Sequence, residues 1–202
     1  MNAGTLDEIF EKHYKTKNHE AHMNFSFYHY YDADIGPFQN LSSLPYHEAV
    51  KISEYLRRGG NSFASRRSED YIMVRRELEG IAQKLFINKG GKPQNSYPHY
   101  MTVDKCEWME SWYRNPAWLS INWNEFSEES ISFTYGDLFP TMRYQDNKPY
   151  RGQIYTKNEI IELIEEYGLP QEWNELGDKG PERYIEVQIW DEKVIKRFCK
   201  HN

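Results

Sequence analysis

The chain has 202 residues, 39% hydrophobic, 28% charged and 16% aromatic, with a net charge of −6. This balance suits a single globular domain over 1–202 and excludes a disordered chain. The acidity argues against non-specific nucleic-acid binding by the whole surface.

Thr5 to about Asn18 reads as a short polar helix, with Thr5 and Glu8 at capping-box spacing and a narrow stripe of Leu6, Ile9, Phe10 and Tyr14. His13, His19 and His22 follow at loose spacing without a metal-ligand pattern. Residues 25–31 form an aromatic strand in which Phe25, Phe27, His29 and Tyr31 share a face. Asp32 to Pro37 turns the chain.

Leu44-Pro45 opens a helix to about Arg58, with Ser43 or Leu44 as its cap and Gly59-Gly60 as its stop. Ser68 caps a longer helix from Glu69 to about Asn88. Between Lys51 and Tyr100 ten Lys/Arg face five Asp/Glu, so this segment is +5 and the remainder −11. Ser65-Arg66-Arg67-Ser68, at a helix start, suits a phosphate: guanidinium forks match its oxygens, and the helix end adds unpaired N–H groups. The plainer reading is that the basic segment pairs with the acidic C-terminal part.

Residues 95–102 are a loop or short strand, and a Trp-rich helix is expected around 104–113. Strands follow at 118–123 and 131–135, joined through 125–130 as a hairpin; Gly136 to Pro140 ends the second and 146–149 is a turn. Thr156, with Glu159 three residues on, caps a helix to Tyr167, which Gly168-Leu169-Pro170 stops. After a polar loop over 171–181, the run 183–190 alternates cleanly. Ile185, Val187 and Ile189 belong to one face, and Tyr184, Glu186, Gln188 and Trp190 to the other. A closing helix occupies 191–200. The fold expected is one α+β domain: a mixed or mainly antiparallel sheet of about five or six strands, with helices 45–58, 68–88 and 156–167 packed on it.

No apolar run nears the roughly 20 residues needed to span a bilayer, and the N-terminus is polar, so no membrane association is expected. The two distant cysteines, Cys106 and Cys199, suit a reducing cytoplasm. GxGxxG, Walker, HExxH and GxSxG motifs are absent.

Tyr28-His29-Tyr30 on an early strand and Ile185-Glu186-Val187 on a late one, with Ser132, Thr134 or Tyr135 between, resemble the ADP-ribosyltransferase superfamily, and the late strand is similar to that of DarT-like transferases. The resemblance implies NAD as substrate, a protein or nucleic-acid acceptor, and Glu186 as the catalytic carboxylate beside an oxocarbenium-like centre. It also implies a cofactor-binding set: His29 on the adenosine-side ribose, with Tyr30 beside it, Tyr135 or Trp190 stacked on the nicotinamide, and Arg66 and Arg67 on the diphosphate. Glu186-x-Gln188 reverses the pair of the arginine-modifying branch, so the acceptor type stays open. Two other readings are available. Asp137 after a strand and Glu186-x-Gln188 on a later one resemble the restriction-endonuclease-like site of metal-dependent nucleases, with Gln in place of its Lys. A non-enzymatic protein would bind a partner through its aromatic face or basic helix.

Overall fold

The alternation near the C-terminus becomes a buried strand. In the computed structural model, which describes residues 24–60 and 63–199, strand β5 spans Ile185–Ile189, and all five of its residues are buried. The expected helix over 5–18, with His13, His19 and His22, lies outside the described residues. The other strands are β1 (Ser26–Asp32), β2 (His99–Val103), β3 (Pro116–Asn122) and β4 (Ile131–Tyr135). They form one five-stranded sheet in the order β3-β1-β2-β5-β4, and every neighbouring pair is antiparallel.

Period two sorts this sheet into two unlike faces. Phe27, Met101, Val103, Ile121, Phe133, Ile185, Val187 and Ile189 make the apolar face. Helix α4 (Lys157–Tyr167) closes it with Ile160, Ile161 and Ile164. Its start follows the sequence: Thr156 Oγ1 accepts from the Glu159 N–H, and the Glu159 carboxylate accepts from the Thr156 N–H. Burial of each such aliphatic side chain contributes about 1.5–3 kcal/mol.

The opposite face carries Tyr28, Thr102, Thr134 and Glu186 in one row, set by the Tyr28–Thr102, Thr102–Glu186 and Thr134–Glu186 registers. Helix α2 (Tyr71–Asn88) covers this side. Its Leu78, Ala82 and Phe86 pack with Leu138, Ile154 and Trp190, and the Phe86 and Trp190 rings lie nearly parallel at 6.3 Å. Helix α1 (Tyr46–Arg58) packs against α2. The short helices α3 (Leu138–Arg143), α5 (Pro170–Trp173) and α6 (Glu192–Phe198) complete the α+β domain.

Several boundaries differ from the sequence expectations. Strands β3 and β4 do not form a hairpin; they occupy opposite edges of the sheet. β3 instead pairs with β1 over seven residues, while two 3₁₀ turns, with Trp123 and Phe126 buried in the apolar core, lead on to β4. Neither Ser43 nor Leu44 caps α1. Leu44 precedes a proline and is held extended, so Pro45 takes the N-cap position. Helix α2 begins at Tyr71 rather than Glu69, with Asp70 and not Ser68 at its N-cap. The helix expected at 104–113 contracts to a 3₁₀ segment, Glu107–Trp112. Residues 136–140 do more than end a strand. Asp137 accepts a hydrogen bond from the Phe139 N–H at 2.7 Å and starts α3, whose first turn tolerates Pro140.

Candidate active site

Glu186 faces α2 and α3 from the middle of β5, only 6% exposed. A buried carboxyl must find partners. Its Oε1 accepts from the Leu138 N–H at 3.3 Å and from the Gln188 amide at 3.2 Å. Its Oε2 lies 3.4 Å from the Tyr184 hydroxyl, and that hydroxyl lies 3.0 Å from Asp137 Oδ2. Asp137 is only partly buried, so it is the more exposed of the two acids.

Behind the pair the polar face is closed and saturated. Trp190 Nε1–H donates to Ser132 Oγ at 2.8 Å, Ser132 Oγ–H donates to Gln188 Oε1 at 3.0 Å, and Gln188 Nε2 donates to Thr134 Oγ1 at 3.0 Å. Such a network fixes side-chain positions because each lost bond would leave a buried polar atom unpaired.

Helix α2 supplies a cationic and aromatic wall. Tyr71, Arg75 and Glu79 follow at i, i+4 spacing and share one helix face. Arg75 donates to Glu79 Oε1 at 2.9 Å and to the Tyr71 hydroxyl at 3.0 Å, and its guanidinium lies over the Tyr100 ring at 4.9 Å. The Tyr100 hydroxyl donates to the same Glu79 oxygen at 2.7 Å. The Arg67 guanidinium covers the Tyr71 ring at 4.3 Å, and that ring stacks on Phe139 at 5.2 Å. Arg67, Tyr71, Arg75 and Phe139 are all partly exposed.

The electrostatics separate the two carboxyls. Burial pushes Glu186 well above the usual carboxylate range, and the neighbouring Asp137 charge pushes it further. Burial also raises Asp137, against the opposing pull of the Phe139 N–H, the Tyr184 hydroxyl and the Arg75 and Arg67 charges. A single proton on the pair therefore favours Glu186. Burial and the two acids raise the Tyr184 phenol well above its ordinary value, so it remains a neutral donor.

The residues expected to line one NAD site fall in several places. Glu186 is at the centre and Arg67 lies over Tyr71, where its charge acts on Asp137, whereas Arg66 is exposed and lies 5.9 Å over the Phe63 ring. Both arginines precede the start of α2 at Tyr71, so they do not sit in its first turn. His29 is on the opposite face, because its neighbour Tyr28 is the residue in register with Thr102 and Glu186. Its ring stacks on Phe38 at 4.0 Å. Nδ1–H donates to the Tyr100 carbonyl at 2.9 Å, and Nε2 accepts from the Phe38 N–H at 2.8 Å. Burial lowers its pKa to about 4, against the opposing effect of the Tyr100 bond. Tyr135 pairs with Ile185, so it too turns away from Glu186, and its hydroxyl donates to the Gly168 carbonyl at 2.8 Å. Trp190 and Tyr30 share the Glu186 face but are committed to packing. Trp190 is fully buried beneath Phe86, and the Tyr30 hydroxyl accepts from the Cys106 N–H at 2.7 Å.

Sequence reasoning linked Asp137 to Glu186 only through the nuclease resemblance, and it did not single out Tyr71, Arg75, Phe139 or Tyr184. The i, i+4 run Tyr71-Arg75-Glu79 was the available signal for the wall. The nuclease metal does not fit the donor set. Two carboxylates meet here, and the Leu138 N–H and Gln188 amide point at the Glu186 oxygen that a cation would need. Among the described residues no group of three or more His, Cys, Asp or Glu is arranged to hold a metal. Both cysteines are free thiols, Cys106 buried and Cys199 exposed. Part of the basic segment does pair with acids further along the chain, as in Lys89–Glu159 and Lys92–Glu129. No described helix is long and apolar enough to cross a membrane.

Fold and site together define an α+β protein with a partnered acid pair beside an arginine–aromatic wall. No family model matches the sequence, and neither a curated protein nor a solved structure matches it.

Proposed function

We propose that the protein is an ADP-ribosyltransferase-like enzyme that uses NAD. The observation that carries this reading is the partly buried Asp137 carboxylate, joined through Tyr184 to Glu186 and flanked by Arg67, Arg75 and the Tyr71–Phe139 stack. Breaking the ribose C1′–nicotinamide bond sends the bonding pair to the pyridinium nitrogen, so nicotinamide leaves neutral and an oxocarbenium-like carbon remains. An anion held beside that carbon stabilises the transition state more than the ground state. Asp137 supplies the charge and Glu186 forms the floor behind it. An acceptor nucleophile then bonds to C1′ and gives up its proton to Asp137. Arg67 is the diphosphate contact in this scheme, and the stacked Tyr71 and Phe139 rings offer a flat surface to an aromatic base. His29 and Tyr135 take no part, since they face the other side of the sheet.

The test is calorimetric titration with NAD, together with nicotinamide release, on wild type and Asp137→Asn. The expected result is saturable binding and a loss of release of about 100-fold in the variant, the scale of removing one electrostatic group from a transition state. A folded wild type that does not bind NAD, or a fully active Asp137→Asn, would overturn the transferase reading in favour of a partner-binding protein.

A further inference from the structure

We propose that Tyr184 is a positioning residue that fixes one proton on Glu186 and one negative charge on Asp137, so that the two acids act as a one-proton pair. The donor count requires one proton on the pair, and the surroundings place it on Glu186, which is only 6% exposed, whereas Asp137 is partly exposed and feels the Arg75 and Arg67 charges. Glu186 Oε1 already accepts from the Leu138 N–H and the Gln188 amide, which leaves Oε2 as the oxygen free to carry a proton. Oε2 lies 3.4 Å from the Tyr184 hydroxyl, which lies 3.0 Å from Asp137 Oδ2. A phenol has one proton to give and can also accept. With Glu186 protonated, Oε2–H donates to the Tyr184 oxygen, Tyr184 O–H donates to Asp137 Oδ2, and every bond has one donor. With both acids ionised, Tyr184 can satisfy only one of them, and two like charges face each other across a single hydroxyl.

The surroundings act in the same sense. Arg75 and Arg67, from α2 and the turn before it, lower Asp137. Tyr100 on β2 lies near Glu186, and Glu79 on α2 accepts from Arg75 and Tyr100 at Oε1, its buried Oε2 having no hydrogen-bond partner. Cys106 faces Tyr184 from the segment after β2, and burial raises its thiol above the ordinary value, so it brings no charge. The charge thus sits on the more exposed acid and the proton on the more buried one. The catalytic consequence rests on the proposed NAD chemistry. The proton arrangement does not, and it can be read without turnover.

The experiment is carbon-detected NMR titration of protein labelled at the Asp and Glu carboxyl carbons. Wild type should show two coupled steps at Asp137 and Glu186, the Glu186 step well above the ordinary carboxylate range. Tyr184→Phe removes the donor that favours the Asp137 anion, so the Asp137 step should move up by about one pH unit, and the acid limb of nicotinamide release should move with it. Glu186→Gln keeps the shape and should abolish the upper step; it preserves the test if Tyr184→Phe does not fold. Two acids that titrate independently in the ordinary range, an Asp137 step unmoved in folded Tyr184→Phe, or an upper step that persists in Glu186→Gln would each overturn the proposal. Coupled titration without NAD turnover would retain the acid pair and remove only the transferase reading.

Discussion

Acid should weaken this fold through His29. The two ring nitrogens are both committed, Nδ1–H to the Tyr100 carbonyl and Nε2 to the Phe38 N–H, so the ring is held neutral in one tautomer. Protonating Nε2 would set a new N–H against the Phe38 N–H. The unfolded chain takes up the proton near the ordinary value of 6.5, whereas burial holds the folded value down to about 4. Between those limits the unfolded state holds the extra proton, so stability falls as pH falls and the contribution is complete above about 6.5. From pH 7.5 to 5.0 the loss attributable to His29 is about 2 kcal/mol, at 1.36 kcal/mol per unit over the interval from 6.5 to 5.0. Asp137 and Glu186 act in the opposite sense, since their raised values let the folded state bind protons first, and the wild-type curve alone would mix the two. His29→Phe keeps a ring against Phe38 and loses both hydrogen bonds, a cost that does not depend on pH. Urea unfolding of both proteins at pH 7.5 and 5.0 isolates the His29 share. The stability gap between them should narrow by about 2 kcal/mol at the lower pH. A gap of constant width would refute the argument that this histidine is held neutral in the folded state.

Two further substitutions test the packing that supports the site. Gly91→Ala would place a Cβ 2.5 Å from three atoms of the Phe86 ring, itself held against Trp190, and should destabilise by about 1–3 kcal/mol in thermal unfolding; an unchanged melting temperature would show that the ring can yield. Thr156→Ala removes the side-chain half of the α4 capping box and should cost about 1 kcal/mol by urea unfolding. A neutral result there would mean that the Lys89–Glu159 pair, at 2.8 Å, holds the helix end by itself.

Local periodicity carried much of the fold into view. The 183–190 alternation, the Thr156–Glu159 box and the limits of β4 each depend on neighbouring residues, and they stand in the structure at or close to their expected places. The pairing of strands was not visible, because a hairpin between β3 and β4 is the short-range solution, whereas the observed β1–β3 ladder joins residues about ninety positions apart. The candidate site suffered more from the same limitation. Asp137 meets Glu186 only because β4 and β5 are neighbours, and His29 leaves the group only because Tyr28, one residue away, takes the register. A single-residue shift changes the face of every side chain. Alternation within one strand could say which residues travel together, but not which strand's set they would join.

Strand β5 follows β2 and β4 in the chain yet lies between them. Until it is in place, those two strands have no partner along the edges that β5 will occupy, and half of the backbone ladder of the sheet is unsatisfied. Sheet assembly must therefore wait for a loop closure of about fifty residues between β4 and β5, a slow event of the kind that high contact order imposes. A nascent or partly unfolded chain presents two bare strand edges at once, one of them on the Ile- and Phe-bearing β4. The same insertion that brings Glu186 to Asp137 makes the late strand the kinetic keystone of the molecule and its open gap the place where two chains would cross-pair.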